Sequence, residues 1–188
     1  MNRKYLSGVL AVFLAATSSL ESADAKGRGK SKKTQKVKRV YDRTFDRDSN
    51  SVLLARMLFG EGRGQTRDEK IAIAYTAVNR VHDGRRNNGE TLREVILMPK
   101  QYSSFNLNDP NREKLLHPER YEPKAFKECL DVAKGVVSGK YKDPTDGATH
   151  YFSSNMQTPP AWASDMKRSI GRIQLANGKL SEHVFYRE

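Results

Sequence analysis

The chain has 188 residues, of which 37% are hydrophobic and 30% charged, so it can bury the core of one globular domain and is not disordered throughout. Its length argues against two large domains. With Cys129 as its single cysteine, the chain can form neither an intrachain disulfide nor a cysteine-rich zinc site, and packing must stabilise the fold.

The net charge of +12 is distributed unevenly along the chain. Residues 26–39 contain eight cations and no acid, whereas residues 40–188 contain 24 cations and 20 acids. The part that can fold is therefore only mildly basic. Because the basic segment has no aromatic residue before Tyr41, we do not expect a nucleic-acid partner.

Residues 1–25 have the pattern of a secretory signal peptide. The cationic start Asn2-Arg3-Lys4 precedes an uncharged apolar stretch over residues 6–20, and Ala23-Asp24-Ala25 matches a signal-peptidase cleavage site. A short N-terminal membrane anchor is the alternative, but the stretch is shorter than the ~20 apolar residues that span a bilayer. We therefore expect export to the periplasm, the cell wall or the medium, without a stable membrane span.

Residues 26–48 are rich in lysine, glycine and serine and cannot bury apolar surface. We expect a flexible basic tail that is either a plain spacer or a contact for anionic envelope polymers. The folded domain is then expected over residues 49–188, with a monomer as the default.

Four helices are predicted from caps and apolar periodicity. The glycine-rich run 60–64 should end the first helix and leave Glu61 at its C-terminal end. A capping box starting at Thr66 opens the second helix, and Pro123 at the first helical position opens the fourth. The predicted helices cover residues 51–60, 66–81, 91–97 and 123–139.

The pattern changes to short strands after residue 139. Residues 148–153 are predicted to form a strand, and residues 170–175 and 184–187 a hairpin around the turn at 176–179. The fold class is therefore α+β, a single domain with the helices first and a small antiparallel sheet or hairpin at the C-terminus.

Three common chemistries lack their motifs. The glycines at 60, 62 and 64 are not followed by Gly-Lys-Ser/Thr and come after a helix, so no nucleotide site is predicted. The four histidines form no close ligand pair, so neither a metal nor a cofactor is expected. No Gly-x-Ser-x-Gly elbow is present.

Glu61 remains as the candidate catalytic group. The negative end of a helix dipole and partial burial both penalise a carboxylate, which raises its pKa towards the range that a general acid needs. Glycines on either side could let a bulky substrate approach. The alternative is that Glu61 is an ordinary solvated loop acid.

Five blocks of residues occur in a fixed order along the chain. They are Ala55-Arg56-Met57-Leu58-Phe59-Gly60-Glu61-Gly62-Arg63-Gly64 with Val78-Asn79-Arg80-Val81, Gln101-Tyr102-Ser103, Asp143-Pro144-Thr145-Asp146-Gly147-Ala148-Thr149-His150-Tyr151, Trp162-Ala163 and His183-Val184-Phe185-Tyr186. In this order the blocks resemble the SleB/CwlJ family of cell-wall hydrolases, the spore cortex-lytic type, and the resemblance covers about residues 50–187. Gly62 stands where the family often has alanine, and Gln65 where it often has a second acid.

The resemblance implies a lysozyme-like domain that cleaves the glycan strand of peptidoglycan between N-acetylmuramic acid and N-acetylglucosamine. Glu61 would be the catalytic acid of a lytic transglycosylase, which yields 1,6-anhydro ends without water. A water-using enzyme would instead need a second carboxylate. The second acids considered are Asp68, Asp146, Asp165 and Glu69, the last expected to serve as a helix cap.

Supporting residues follow from the same blocks, each with a structural alternative. Gln101 and Ser103 could bind the sugar or merely cap a loop, and Tyr151 and Trp162 could stack on sugar rings or fill the core. A further set could orient the site or simply hold the fold together: Asn79, His150, His183 and Tyr186.

Two rival functions remain open. A muramidase would cleave the same bond with water and leave reducing ends. A secreted basic protein could bind the wall without cleaving it. Both share peptidoglycan as the expected partner.

Overall fold

The computed structural model describes residues 43–85, 89–166 and 168–188. The predicted signal peptide and most of the predicted basic tail lie outside the described residues. Phe45 is buried in the core at 2% exposure, and Arg93 donates to its carbonyl oxygen. Packed structure therefore includes residue 45, which lies before the boundary predicted after residue 48.

Helix α1 (Asn50–Gly62) is the central helix of the domain. Ser49 caps it by accepting a hydrogen bond from the Val52 amide at 3.3 Å, and its side chains are buried on most of its circumference. The helix does not end at Gly60 as predicted. Tertiary packing around Gly60 outweighs the ~1 kcal/mol propensity cost of a helical glycine, and Glu61 therefore lies in the last helical turn.

Helices α2 (Arg67–His82) and α6 (Pro123–Val137) pack against α1. Their starts are confirmed, since Thr66 Oγ1 accepts from the Glu69 amide and Pro123 occupies the first turn of α6. Helix α3 (Leu92–Ile96) has the predicted Thr91 cap. Three short helices were not predicted from the sequence: α4 (Arg112–Leu116), α5 (Pro118–Tyr121) and α7 (Trp162–Asp165).

The sheet consists of β1 (His150–Ser153), β2 (Arg168–Gly171) and β3 (His183–Arg187) in the antiparallel order β1-β3-β2. The predicted turn exists, with the Leu175 amide donating to Lys179 O and Gly178 at φ 79°. However, the strand that pairs with β3 lies at 168–171 rather than 170–175. Helices first and a small antiparallel sheet last are confirmed.

Two apolar clusters hold these layers together. The larger joins α1, α2, α3 and α6, and the smaller joins Ala72 of α2 to Phe185 of β3. Cys129 is buried in the larger cluster, and burial raises the pKa of its thiol to about 11. None of the helices within the described ranges is long and apolar enough to cross a membrane.

Candidate active site

Glu61 faces the sheet from the last turn of α1. The phenolic hydroxyl of Tyr151, on β1, donates to Glu61 Oε2 at 3.1 Å. Burial raises the pKa of Tyr151 well above 10, so this hydroxyl keeps its proton and remains a donor. The contact joins residues 90 positions apart and aims the carboxyl group of Glu61.

The pKa of Glu61 is raised from 4.5 to about 7, chiefly because burial disfavours the carboxylate. The hydrogen bond from Tyr151 and the charges of His183 and Arg80 lower this pKa, while the charge of Asp109 raises it. With a pKa near neutrality, one carboxyl group can both give and take a proton. Burial is thus the main cause of the raised Glu61 pKa that the sequence predicts.

Glu69 fixes the first residues of β3 beneath Tyr151. Its carboxylate is 1% exposed and accepts from the amides of Glu182 and His183, each at 3.1 Å. It also lies 2.7 Å from His183 Nδ1. The His183 ring contacts Tyr151 edge to face, with centroids 5.2 Å apart. Glu69 therefore takes part in the helix cap only by donating its amide to Thr66. Its carboxylate instead holds His183, which packs against Tyr151.

Arg80 is a buried cation close to Glu61 that the sequence analysis did not single out. It is 4% exposed, its Nε donates to Thr149 O at 2.5 Å, and its guanidinium lies over the Tyr102 ring at 5.8 Å. Both Nη atoms donate to the side-chain oxygen of Gln101 when that oxygen faces them. Gln101 is therefore held beside the site by Arg80. The signal for Arg80 in the sequence was its place in the block Val78-Asn79-Arg80-Val81.

The turn that carries Ser103 packs directly on α1. A Cβ added at Gly60 would lie 2.3 Å from Ser104 Oγ, so this glycine is needed for close packing rather than for access by a substrate. A Cβ added at Gly62 would lie 3.1 Å from Ile73 Cδ1, a tight but smaller conflict. Ser103 itself is half-buried at the start of the turn 103–105.

Trp162, His150 and Tyr186 lie on the other face of the sheet from Tyr151. The Trp162 ring packs 5.2 Å from His150 and 5.7 Å from Tyr186, together with Phe152. Burial, followed by the charges of Arg80 and Arg85, lowers the pKa of His150 to about 3, so its ring is neutral in this cluster. The structure brings Tyr151 and His183 to Glu61 but not these three side chains.

Asn79 also points away from Glu61. Its amide donates to Asp143 Oδ2 and to Ala148 O, each at 2.9 Å. Asp143 in turn accepts from the Thr145 and Gly147 amides. Asn79 therefore fixes the loop that leads into β1 and helps to place Tyr151 through the backbone.

The other acids considered earlier are engaged elsewhere or exposed. Asp68 accepts from the Asn177 amide, Asp146 pairs with Arg168 at 2.8 Å, and Asp165 is exposed in α7. The negative charge of Asp109 raises the pKa of Glu61. No local pattern in the sequence indicated this contact. Asp109 Oδ1 accepts from the Asn111 amide at 2.8 Å. Within the described ranges, no group of three or more histidine, cysteine or acidic side chains is arranged to hold a metal ion.

Residues 64–186 match the family model described as Cell Wall Hydrolase. This confirms the family expected from the motifs. The matched segment begins three residues after Glu61, so the role of Glu61 is argued from its geometry. No curated protein matches the chain significantly.

Two solved structures are similar to the chain. One is the catalytic domain of the Bacillus cereus SleB protein, at 22% identity and a TM-score of 0.45, covering 79% of this chain and 93% of that one. The other is the catalytic domain of the germination-specific lytic transglycosylase SleB from Bacillus anthracis, at 23% identity and a TM-score of 0.49, covering 74% and 96%.

Proposed function

The chain belongs to the family of cell wall hydrolases, and from this we propose that it cleaves the glycan strand of peptidoglycan as a lytic transglycosylase with Glu61 as its acid and base. The bond is that between N-acetylmuramic acid and N-acetylglucosamine. One observation carries the proposal: Glu61 has a pKa of about 7 and is aimed by the Tyr151 hydroxyl.

In the first step, protonated Glu61 donates its proton to the glycosidic oxygen. The bond from C1 to that oxygen breaks, the bonding electrons leave with the oxygen, and positive charge develops at C1 of the muramic acid. The carboxylate left on Glu61 stabilises this charge. Tyr151 remains its hydrogen-bond donor throughout.

In the second step, the C6 hydroxyl of the same sugar attacks C1 and gives its proton to Glu61. A 1,6-anhydro end forms, Glu61 is protonated again, and no water is consumed. A pKa near 7 suits both directions of proton transfer, because neither form of the acid is strongly favoured at neutral pH. Gln101, held by Arg80, lies beside the site to bind a sugar hydroxyl.

A muramidase that uses water is the second candidate, and Asp109 is the observation that favours it. Its charge acts on Glu61, and its Oδ1 is taken by the Asn111 amide while no hydrogen bond occupies Oδ2 among the described residues. That oxygen could accept a proton from an attacking water.

Export and tail binding complete the proposal. The signal-peptide pattern of residues 1–25 and the family's substrate together support action outside the cytoplasm. The eight cations of residues 26–39 would attract anionic polymers of the envelope.

The test is a digest of purified sacculi by residues 26–188, with products identified by mass spectrometry. Glu61→Gln is the inactive variant, and Glu119→Gln, on the exposed surface of α5, is its matched control. Anhydro-muropeptides from the parent and the control, but not from Glu61→Gln, support the transglycosylase. Reducing-end products favour the muramidase, and equal activity of Glu61→Gln contradicts both.

A further inference from the structure

A groove of about 410 Å³ lies beside the first turns of α2. Arg67, Ile71 and Tyr75 recur every four residues on this side of the helix, whereas Glu69 and Arg80 face the sheet. We call it the basic groove. Its lining includes Arg67, Ile71, Lys140, Tyr141, Lys142 and Leu175.

The basic groove combines an apolar floor with a cationic rim. Ile71 and Leu175 are buried beneath it, and Arg67, Lys140 and Lys142 are exposed around it. No carboxylate in residues 43–85, 89–166 and 168–188 forms an ion pair with these three cations. Asp68, the acid of the lining, accepts a hydrogen bond from the Asn177 amide.

Tyr141 is a fixed wall of the basic groove. A Cβ added at Gly135 would lie 2.1 Å from the Tyr141 ring, so α6 has a glycine where the ring packs. The Tyr75 hydroxyl donates to Tyr141 O, and the Arg67 guanidinium both donates to the Tyr141 hydroxyl and lies over its ring at 5.6 Å. The Lys140 ammonium lies 5.7 Å from the same ring. The wall and the Arg67 guanidinium are thus held in place before any ligand arrives.

We propose that the basic groove binds the peptide stem of peptidoglycan through its carboxylates. Such a stem carries several carboxylates and small methyl side chains, which match unpaired cations above an apolar floor. The proposal rests on the proposed function, because it takes the substrate to be peptidoglycan. A stem bound here would help to hold the strand while Glu61 acts on the glycan.

The binding test uses the full mature chain carrying Glu61→Gln, so that nothing is cleaved. The probe is a synthetic tetrapeptide stem with free carboxylates, and its fully amidated form is the chemical control. Lys140→Gln with Lys142→Gln should weaken binding of the free-acid stem about tenfold, as expected for two exposed ion pairs. Lys124→Gln with Lys134→Gln, on the exposed side of α6, removes the same charge and should leave binding unchanged.

Equal binding of the two double variants, or equal binding of the free-acid and amidated stems, would overturn the proposal. Binding of inorganic phosphate with the same dependence on Lys140 and Lys142, but none of the stem, would reassign the groove to a phosphate ligand. Thermal unfolding of both double variants should match the parent, because these lysines are exposed.

A second measurement separates this proposal from the proposed function. Active protein is given intact glycan strands and strands from which an amidase has removed the stems. The parent should prefer intact strands, and Lys140→Gln with Lys142→Gln should lose that preference while still cutting bare strands. If neither strand is cut by any form, the proposed function fails, whereas stem binding by the Glu61→Gln protein still decides the basic groove.

Discussion

Tyr151 donates its phenolic hydrogen to Oε2 of Glu61 at 3.1 Å, and this contact joins the last turn of α1 to the first strand of the sheet. The donor stabilises the carboxylate and so lowers a pKa that burial has raised. The balance of these two effects leaves the Glu61 pKa near 7. Each of the groups around the carboxyl therefore has a measurable effect on the pH dependence of the reaction.

Replacing Tyr151 by phenylalanine removes that donor and should raise the pKa of Glu61 further. Because the first step needs protonated Glu61, activity falls as pH rises through this pKa. The alkaline limb of the kcat/KM profile should move up by about 0.5 to 1 pH unit. Tyr186→Phe, on the other face of the sheet, is the control and should leave the limb in place. Coincident pH profiles for the two variants would contradict the role of Tyr151 in setting the Glu61 pKa.

Replacing Asp109 by asparagine should act in the opposite direction. Its negative charge raises the pKa of Glu61, so its loss should lower that pKa and move the alkaline limb to lower pH. A transglycosylase would keep its anhydro product with only this shift. If Asp109 activates water, the variant should instead form the reducing-end product at least about 100-fold more slowly, as is typical when a general base is lost. Product analysis of Asp109→Asn alongside Asp131→Asn, a surface control on α6, separates the two.

Glu69→Gln should destabilise the protein rather than alter its chemistry directly. The buried carboxylate accepts three hydrogen bonds from Glu182 and His183, and a glutamine retains one acceptor oxygen and presents an amide to the remaining donor. Loss of such charged, buried hydrogen bonds costs about 1–3 kcal/mol. Chemical denaturation should show a lower midpoint than for Glu182→Gln, whose side chain is exposed. A midpoint unchanged from the parent would contradict this role.

The capping patterns were sufficient to predict α2 and the start of α6. They are local features, and local hydrogen bonds and sterics decide them. The partners of Glu61 were harder to choose. Alternation along a strand puts His150 and Tyr151 on opposite faces, but only the packing of the sheet on α2 determines which face meets Glu61.

Two further features could not be predicted for the same reason. Glu69 fits a capping box, yet its carboxylate bonds to the amide of His183, 114 residues away. Asp109 lies in a loop where its side chain accepts a hydrogen bond from the Asn111 amide, and this local role alone would explain an aspartate there. In both cases the decisive contact is between distant segments, and no spacing in the sequence records it.

Glu61→Gln should make the protein more stable above neutral pH. The folded-state pKa of Glu61 is about 7 against 4.5 when unfolded, so the folded protein holds a proton that the unfolded chain releases between these values. The parent therefore loses stability as pH rises from 4.5 through 7, by up to about 3 kcal/mol, while glutamine has no proton to lose. Urea unfolding of both proteins at pH 5 and pH 8 measures the difference. The variant should gain much more on the parent at pH 8 than at pH 5, and a parallel pH dependence of the two would mean that Glu61 is solvated and not poised as an acid.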